Sequence, residues 1–175
     1  MTRRSNRRKS GFVVLLIFKA MEITSDSVQK TQKIGKLIAR NLKKGDIVCL
    51  FGDLGSGKTV LTKGIGSALG VDKHLVTSPT FVLIRKYEAK IPIYHFDLYR
   101  LNRAEDILDL GYEEYLFDEG ISVIEWADKL GSLLPREFLK IELRFIGEKK
   151  RHLKISASGP RYNKLLEYIH ENFGN

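Results

Sequence analysis

The segment from residue 47 to residue 70 constrains the fold more than any other part of this chain. The apolar run Ile47–Phe51 precedes the stretch GDLGSGKT at 52–59, which matches the pattern G-x-x-x-x-G-K-[ST] in full. A helical pattern follows and ends near Leu69, where Gly70 closes it. A buried strand, a glycine-rich turn and a helix in this order are typical of a loop that holds nucleotide phosphates.

The residue types in this loop predict how it binds a nucleotide. Glycines let successive backbone N–H groups point inward at the β-phosphate, and the N-terminus of the following helix favours the negative charge. Lys58 is expected to lie between the β- and γ-phosphates, and the Thr59 hydroxyl to bind Mg²⁺. The nucleotide-binding residues predicted in the loop are Leu54, Gly55, Ser56, Gly57, Lys58 and Thr59. The guanine-specifying N-K-x-D tetrapeptide is absent, because Asn163-Lys164 is followed by two leucines, so the sequence favours ATP.

Outside the loop, helical and strand-like patterns alternate along the chain. Helices interleaved with fully apolar strands predict an α/β domain with a mainly parallel central sheet, and two late alternating strands add an antiparallel hairpin. We expect the P-loop NTPase fold, with helices on both faces of the sheet, as one domain over residues 21–175. The elements predicted beyond the loop are a helix over 25–42 capped by Ser25 or Asp26, strands over 80–87 and 91–96, a helix over 103–117, a strand over 121–125, hairpin strands over 138–146 and 152–157, and a helix over 161–172.

Two acidic residues stand at predicted strand ends, where a P-loop enzyme needs a carboxylate to hold the metal shell and place the attacking water. Asp97 follows the run IYHF, and Glu125 follows ISVI. Carboxylates at the C-terminal ends of parallel strands face the crevice where α/β proteins bind ligands. Taken alone, either acid is equally well explained as a solvated strand-end residue, so the hypothesis depends on the loop nearby.

Three neighbouring features have a structural interpretation beside a functional one. His95 shares a strand face with Asp97, but the pattern favours a hydrogen-bonded structural histidine. Trp126 follows Glu125 and is interpreted as a packing residue at the edge of the site. The segment TSPT at 77–80 is either a polar loop or a segment that senses the γ-phosphate, with Thr80 as the candidate contact.

The first twenty residues differ from the rest in charge. They carry six of the 30 basic residues and no acid, which leaves 24 basic against 21 acidic residues in 21–175. The apolar run at 12–18 is too short to span a bilayer, and no small-x-small cleavage site follows it. We interpret residues 1–20 as a disordered or non-native extension, with a peripheral anchor or an edge strand as alternatives. The lone Cys49 excludes a disulfide framework or a cysteine-rich zinc site and fits a reducing compartment. We expect a cytoplasmic protein with no membrane partner.

From residue 21 onward the chain resembles the bacterial TsaE (YjeE) family, the ATPase of tRNA threonylcarbamoyladenosine synthesis. The resemblance rests on the phosphate loop, on SPTF at 78–81, on YHFDLYRL at 94–101 and on LGYEEYLFDEGISVIEWAD at 110–128. It implies a Mg²⁺-dependent ATPase that acts on the TsaB–TsaD protein complex, which modifies adenosine 37 of tRNA, and resets that complex between turnovers. Contact with tRNA would be indirect or made at the complex.

The resemblance also implies roles for single residues. Lys58 and Thr59 would carry phosphate and Mg²⁺, Glu125 the metal or its water shell, and Asp97 the water or the γ-phosphate network. Thr80 falls in the switch-like segment. Lys150 lies in the basic run KKR at 149–151, near the place where the family has a basic residue at the nucleotide, although the local match is poor.

Charge is distributed unevenly along the domain. Residues 97–128 contain ten acids against two arginines, whereas residues 136–164 contain nine basic residues against three acids. These stretches are either ordinary solvated faces or an acidic docking side and a basic side near tRNA. Two other functions remain open: a small P-loop metabolite kinase, which would need an arginine-bearing lid, and a noncatalytic nucleic-acid-binding module, which the near-neutral domain disfavours.

Overall fold

The computed structural model describes residues 20–72 and 74–173 and contains one seven-stranded sheet. The strands are β1 (Met21–Ser25), β2 (Ile47–Phe51), β3 (Ile84–Tyr87), β4 (Ile93–Asp97), β5 (Ile121–Glu125), β6 (Phe138–Phe145) and β7 (Arg151–Ser158). Their order is β1-β7-β6-β2-β5-β4-β3. The four central strands β6, β2, β5 and β4 are parallel. The outer strands β7, β1 and β3 pair antiparallel, so the mainly parallel sheet with an added hairpin is confirmed.

Helices cover both faces of the sheet, as the sequence predicts. They are α1 (Val28–Ala39), α2 (Lys58–Ala68), α3 (Ala104–Leu108), α4 (Tyr112–Leu116) and α5 (Pro160–Asn172), with a 3₁₀ segment over Ala127–Leu133. The long helices α1, α2 and α5 bury one apolar cluster against the sheet, which includes Val48, Leu139 and Leu165. The short helices and the 3₁₀ segment bury a second cluster on the opposite face, around Cys49 and Phe96. These contacts give the P-loop NTPase fold.

Close contact between α1 and α2 fixes the helix that begins at the phosphate loop. A Cβ atom added at Gly64 would lie 2.3 Å from the carbonyl oxygen of Gln32, and one added at Gly35 would lie 2.4 Å from that of Leu61. Both distances are far below van der Waals contact with backbone atoms that have little freedom to move. The small residues therefore let the two helix backbones touch, and this contact sets the position of α2.

Three predicted helices have different limits in the structure. The helix predicted over 25–42 forms only over Val28–Ala39, because Ser25 is the last residue of β1 and the Ser27 hydroxyl, rather than Ser25 or Asp26, caps the helix. The predicted helix over 103–117 is two short helices, α3 and α4, because Gly111 at φ +63° adopts a left-handed conformation between them. The final helix begins at Pro160, one residue before the predicted start.

The strand predicted over 80–87 is also shorter than expected. Only Ile84–Tyr87 pairs with β4, whereas residues 80–83 form turns. The Thr80 hydroxyl donates to the carboxylate of Asp97, and Leu83 has φ +63°, so the chain departs from the sheet before β3. The neighbouring strand β4 ends one residue later than predicted, at Asp97 itself.

Two sequence interpretations concern membrane association and the N-terminal extension. Among residues 20–72 and 74–173, no helix is long and apolar enough to cross a membrane. The extension predicted over residues 1–20 lies outside the described residues apart from Ala20, which immediately precedes β1.

Candidate functional site

The glycine-rich loop connects the C-terminal end of β2 to the N-terminus of α2. Gly57, the residue before the first turn of α2, has φ +105°, a conformation that favours glycine. Gly52 has φ +134°, and a Cβ atom there would lie 2.2 Å from the carbonyl oxygen of Leu143. Because β6 approaches the loop this closely, a side chain at Gly52 is excluded. The loop backbone is thus held between α2 and β6.

Lys58 lies folded against its own loop. Its Nζ donates to the carbonyl oxygens of Gly52, at 2.6 Å, and Asp53, at 2.9 Å, and lies 3.7 Å from the centre of the Trp126 ring. Burial lowers the pKa of Lys58 from its usual value, while the carboxylates of Glu125 and Asp97 oppose that shift. Trp126 has the left-handed backbone angles φ +60° and ψ +44°, which are rare for a residue other than glycine. This turn directs the indole to the lysine that the sequence assigns to phosphate.

Glu125 accepts hydrogen bonds from three side chains at the end of β5. Its Oε2 accepts the Thr59 hydroxyl at 2.8 Å. Its Oε1 accepts the Thr62 hydroxyl at 3.2 Å and His95 Nε2–H at 2.8 Å. Glu125 is only 2% exposed, so these bonds replace the water that an ionised carboxylate otherwise needs. The carboxylate is therefore next to the loop threonine that the sequence assigns to Mg²⁺.

Asp97 lies beside Glu125, because the two residues are paired in the parallel register of β4 and β5. Its Oδ2 accepts the hydroxyls of Ser78 and of Thr80, the latter at 2.6 Å, and its Oδ1 accepts the backbone N–H of Tyr99 at 3.1 Å. The segment that contains Ser78 and Thr80 is thereby tied to the end of β4. This brings the predicted switch-like segment to the second carboxylate.

One cavity of about 310 Å³ contains most of the predicted site residues. Its lining includes Leu54, Gly55, Gly57, Lys58, Thr59, Thr80, Asp97, Glu125 and Trp126. Ser56 is buried, and within the described part of the chain its hydroxyl has no hydrogen-bond partner. Lys150 is exposed and is not part of this lining. The fold thus brings together residues from the loop, the 77–80 segment and two strand ends.

Arg151 approaches the loop at Gly57, although the sequence pattern did not distinguish it from its basic neighbours. A Cβ atom at Gly57 would lie 3.8 Å from Arg151 Nε. The Arg151 guanidinium is 4.6 Å from the centre of the Phe145 ring, and its Nη1 donates to the carbonyl oxygen of Lys150 at 3.1 Å. The basic run at 149–151 predicts a positive charge near the loop. Only the geometry of the β6–β7 hairpin shows that Arg151 is the residue of this run that lies beside Gly57.

A second unexpected contact joins His95 to Glu125. The sequence favoured a hydrogen-bonded histidine on the strand face of Asp97 and named no partner for it. In the structure its Nε2 bonds to the carboxylate at the end of the neighbouring strand. The spacing of residues along β4 could not predict Glu125 as the partner of His95, because Glu125 lies on the neighbouring strand β5.

Comparisons with known proteins agree with this geometry. The family model described as "Threonylcarbamoyl adenosine biosynthesis protein TsaE" matches residues 25–153. The tRNA threonylcarbamoyladenosine biosynthesis protein TsaE of Bacillus subtilis is 39% identical over 150 residues, covering 84% of this chain and 93% of that protein. The TsaE protein of Treponema pallidum is 37% identical, covering 78% of this chain and all of that protein.

A solved structure extends the match to three dimensions. The crystal structure of Bacillus subtilis YdiB superimposes with a TM-score of 0.74 at 35% sequence identity, covering 88% of this chain and 97% of that one. The residues matched by the family model include the loop and both strand-end carboxylates. The chain therefore belongs to the TsaE family, which acts in tRNA threonylcarbamoyladenosine biosynthesis.

Proposed function

We propose that this protein is a Mg²⁺-dependent ATPase that serves the tRNA threonylcarbamoyladenosine machinery. The observation that carries the proposal is the convergence of Lys58, Thr59, Asp97 and Glu125 on one cavity beside the glycine-rich loop. A phosphate-binding loop with carboxylates at two neighbouring strand ends can supply three parts of phosphoryl transfer to water: phosphate binding, a carboxylate for the metal shell and a group that orients the water. The sequence favours ATP because the guanine-specifying tetrapeptide is absent.

Phosphate binding is assigned to the loop and to Lys58. The backbone N–H groups of residues 54–59 and the N-terminus of α2, an 11-residue helix, provide a favourable site for the β-phosphate. In the present arrangement Lys58 Nζ donates to two loop carbonyls. When a nucleotide binds, we expect the ammonium group to exchange these neutral acceptors for phosphate oxygens, since charge-assisted bonds are stronger.

The residues around Thr59 fit a magnesium ion. A hydroxyl and a carboxylate oxygen 2.8 Å apart are both oxygen ligands of the kind that Mg²⁺ prefers. In the described part of the chain no group of three or more His, Cys, Asp or Glu side chains could hold a metal, so phosphate and water must supply most of the ligands. When bound, the ion neutralises charge that develops on the β- and γ-phosphates. Thr59 and Glu125 would hold it at the loop.

Asp97 is assigned to the attacking water and the γ-phosphate. Its carboxylate faces the same cavity as Lys58 and accepts from the hydroxyls of Ser78 and Thr80. We expect Asp97 to accept a hydrogen bond from the water and orient it, while Thr80 turns toward the γ-phosphate when ATP is present. The 77–80 segment would then report the state of the nucleotide to a partner, as switch segments do.

The partner we propose is the TsaB–TsaD complex, reset by ATP hydrolysis between rounds of tRNA modification in the cytoplasm. The family assignment supports a place in this pathway. The acidic stretch 97–128, with ten acids against two arginines, includes Glu105, Glu113 and Glu114, which are exposed on α3 and α4, and offers a surface for a protein partner. Contact with tRNA is proposed only at the complex.

The deciding experiment measures ATP hydrolysis by the purified chain with and without purified TsaB–TsaD. We expect slow turnover by the chain alone and a rate at least tenfold higher with the complex, lost in Lys58→Ala. The control substitution is Lys63→Ala, on α2 outside the cavity lining. Equal rates with and without the complex, together with phosphate transfer to a small-molecule acceptor, would instead favour a metabolite kinase.

A further inference from the structure

The two carboxylate oxygens of Glu125 have different kinds of partner. Oε2 faces the loop and accepts only the Thr59 hydroxyl among the described residues. Oε1 faces the protein interior and accepts from Thr62 on α2 and from His95 on β4. One oxygen is thus directed at the residue proposed to bind the metal, and the other is bonded to the fold.

Among the described residues, the His95 side chain makes one hydrogen bond, and its partner is Glu125. The ring is fully buried, with 0% exposure. An ionised carboxylate has only acceptors, so Nε2 must be the donor in the 2.8 Å contact. Within the same part of the chain, the buried Nδ1 has no hydrogen-bond partner. A buried polar ring with one unpaired nitrogen is unfavourable, and the bond from Nε2 to Glu125 is the compensation that the structure contains.

Two donors on Oε1 restrict the rotation of the carboxylate. The terminal torsion of a glutamate side chain is broad, so an unrestrained carboxylate turns easily about its last bond. Thr62 approaches Oε1 from α2, at 3.2 Å, and His95 from β4, at 2.8 Å. Because these donors come from separate elements, they fix the plane of the group and leave Oε2 toward Thr59. Thr62 also donates to the carbonyl oxygen of Lys58, at 3.1 Å, so its bond to Oε1 is shared and His95 is the stronger restraint.

We propose that His95 is a positioning residue, which holds Oε1 of Glu125 so that Oε2 stays directed at Thr59 and the magnesium nucleotide. The inference rests on the proposed function, because it assigns a purpose to the orientation of a carboxylate at the metal. Residues that hold a metal-binding group in place commonly change metal affinity or activity about 10–100-fold when they are removed.

The test compares His95→Leu, which removes the donor, with His95→Gln, whose amide nitrogen can reach the place of Nε2. The exposed histidine substitution His74→Gln is the matched control. ATP affinity is measured by calorimetry without Mg²⁺ and with saturating Mg²⁺, and the Mg²⁺ concentration for half-maximal turnover is measured separately. We expect His95→Leu to raise that concentration about 10–100-fold. Its ATP affinity without Mg²⁺ should stay within about twofold, and His95→Gln should recover most of the loss.

The other outcomes decide against the inference. Equal Mg²⁺ requirements in wild type and His95→Leu overturn it, as does equal loss of Mg²⁺-free ATP affinity in His95→Leu and His95→Gln, which would indicate a purely structural histidine. If His95→Leu does not fold, His95→Asn is used, because its shorter side chain also leaves Oε1 without this donor. If the proposed function itself is wrong, wild type will show no Mg²⁺ requirement for turnover. That result differs from an unchanged Mg²⁺ requirement in His95→Leu, and it overturns this inference together with the proposed function.

Discussion

Replacing Glu125 by glutamine separates the charge of this side chain from its shape. In the structure Oε1 accepts from two donors, His95 Nε2 and the Thr62 hydroxyl, whereas Oε2 accepts from the Thr59 hydroxyl alone. An amide has one acceptor oxygen, so the orientation that keeps two bonds is favoured. The amide nitrogen should therefore face Thr59, whose hydroxyl can turn to accept from it.

The expected magnitudes follow from this orientation. The free energy of unfolding changes by about 1 kcal/mol, because the hydrogen bonds survive in neutral form. The loop, however, now faces an N–H donor where the metal shell needs an oxygen acceptor. We expect turnover to fall about 10²–10³-fold, or about 2.7–4 kcal/mol, as when a single group that stabilises charge is removed from an active site. ATP without Mg²⁺ should bind as tightly or more tightly, because a negative charge beside the phosphates is gone.

The assay is steady-state ATP hydrolysis with the TsaB–TsaD complex present, together with calorimetric ATP affinity and thermal unfolding. Glu142→Gln is the matched control, because Glu142 lies on β6 outside the cavity lining and pairs with Lys140 at 3.3 Å. It should leave turnover within about twofold of wild type. If Glu125→Gln keeps more than about a tenth of wild-type turnover with the same Mg²⁺ requirement, Glu125 does not belong to the metal shell.

Three further predictions test the loop, the core and the helix contact. Lys58→Ala should weaken ATP binding at least tenfold in calorimetry, since a single charge-assisted bond to phosphate contributes about 1.5–3 kcal/mol; unchanged affinity contradicts the assignment of this lysine. Burial raises the pKa of Tyr162 to about 12, and its hydroxyl accepts the backbone N–H of Ile47 at 2.6 Å. The folded protein keeps this proton where an unfolded tyrosine, with a pKa of about 10, loses it, so the stabilisation is complete below about pH 10 and is lost as the pH rises to about 12. The free energy of unfolding of Tyr162→Phe, measured in urea, should not show this loss between about pH 10 and 12. If wild type and Tyr162→Phe lose stability equally over this range, Tyr162 is not the cause. Gly64→Ala should lower the free energy of unfolding by about 1–3 kcal/mol, because its Cβ would lie 2.3 Å from the Gln32 carbonyl oxygen, and a melting temperature equal to wild type would show that the helices separate without cost.

Local patterns were enough to predict the parts of the fold that depend on neighbours in sequence. The apolar run before the loop, the loop itself and α2 all lie within residues 47–68, and the hairpin of β6 and β7 shows its alternation directly. The limits of other elements depended on distant partners. β1 is five residues long and pairs with β7, whose residues lie more than 120 positions away, so no local signal marked it as a strand.

The same distinction applies to the site. By itself the sequence determined that a phosphate loop exists, and it predicted that Asp97 and Glu125 end strands and that Thr80 lies in a polar segment. Only the tertiary structure decided which groups touch, because the register of β4 against β5 sets Asp97 beside Glu125, and the packing of α2 brings Thr59 and Thr62 to the two oxygens of Glu125.

His95 and Arg151 show the physical reason for this division. His95 contacts a residue 30 positions away on the next strand, and Arg151 of the β6–β7 hairpin lies 3.8 Å from where a Cβ atom at Gly57 would stand. Both contacts depend on distances of a few ångströms that the whole sheet fixes. Spacing along a chain specifies the face on which a side chain lies, whereas the partner on that face depends on how separate elements pack.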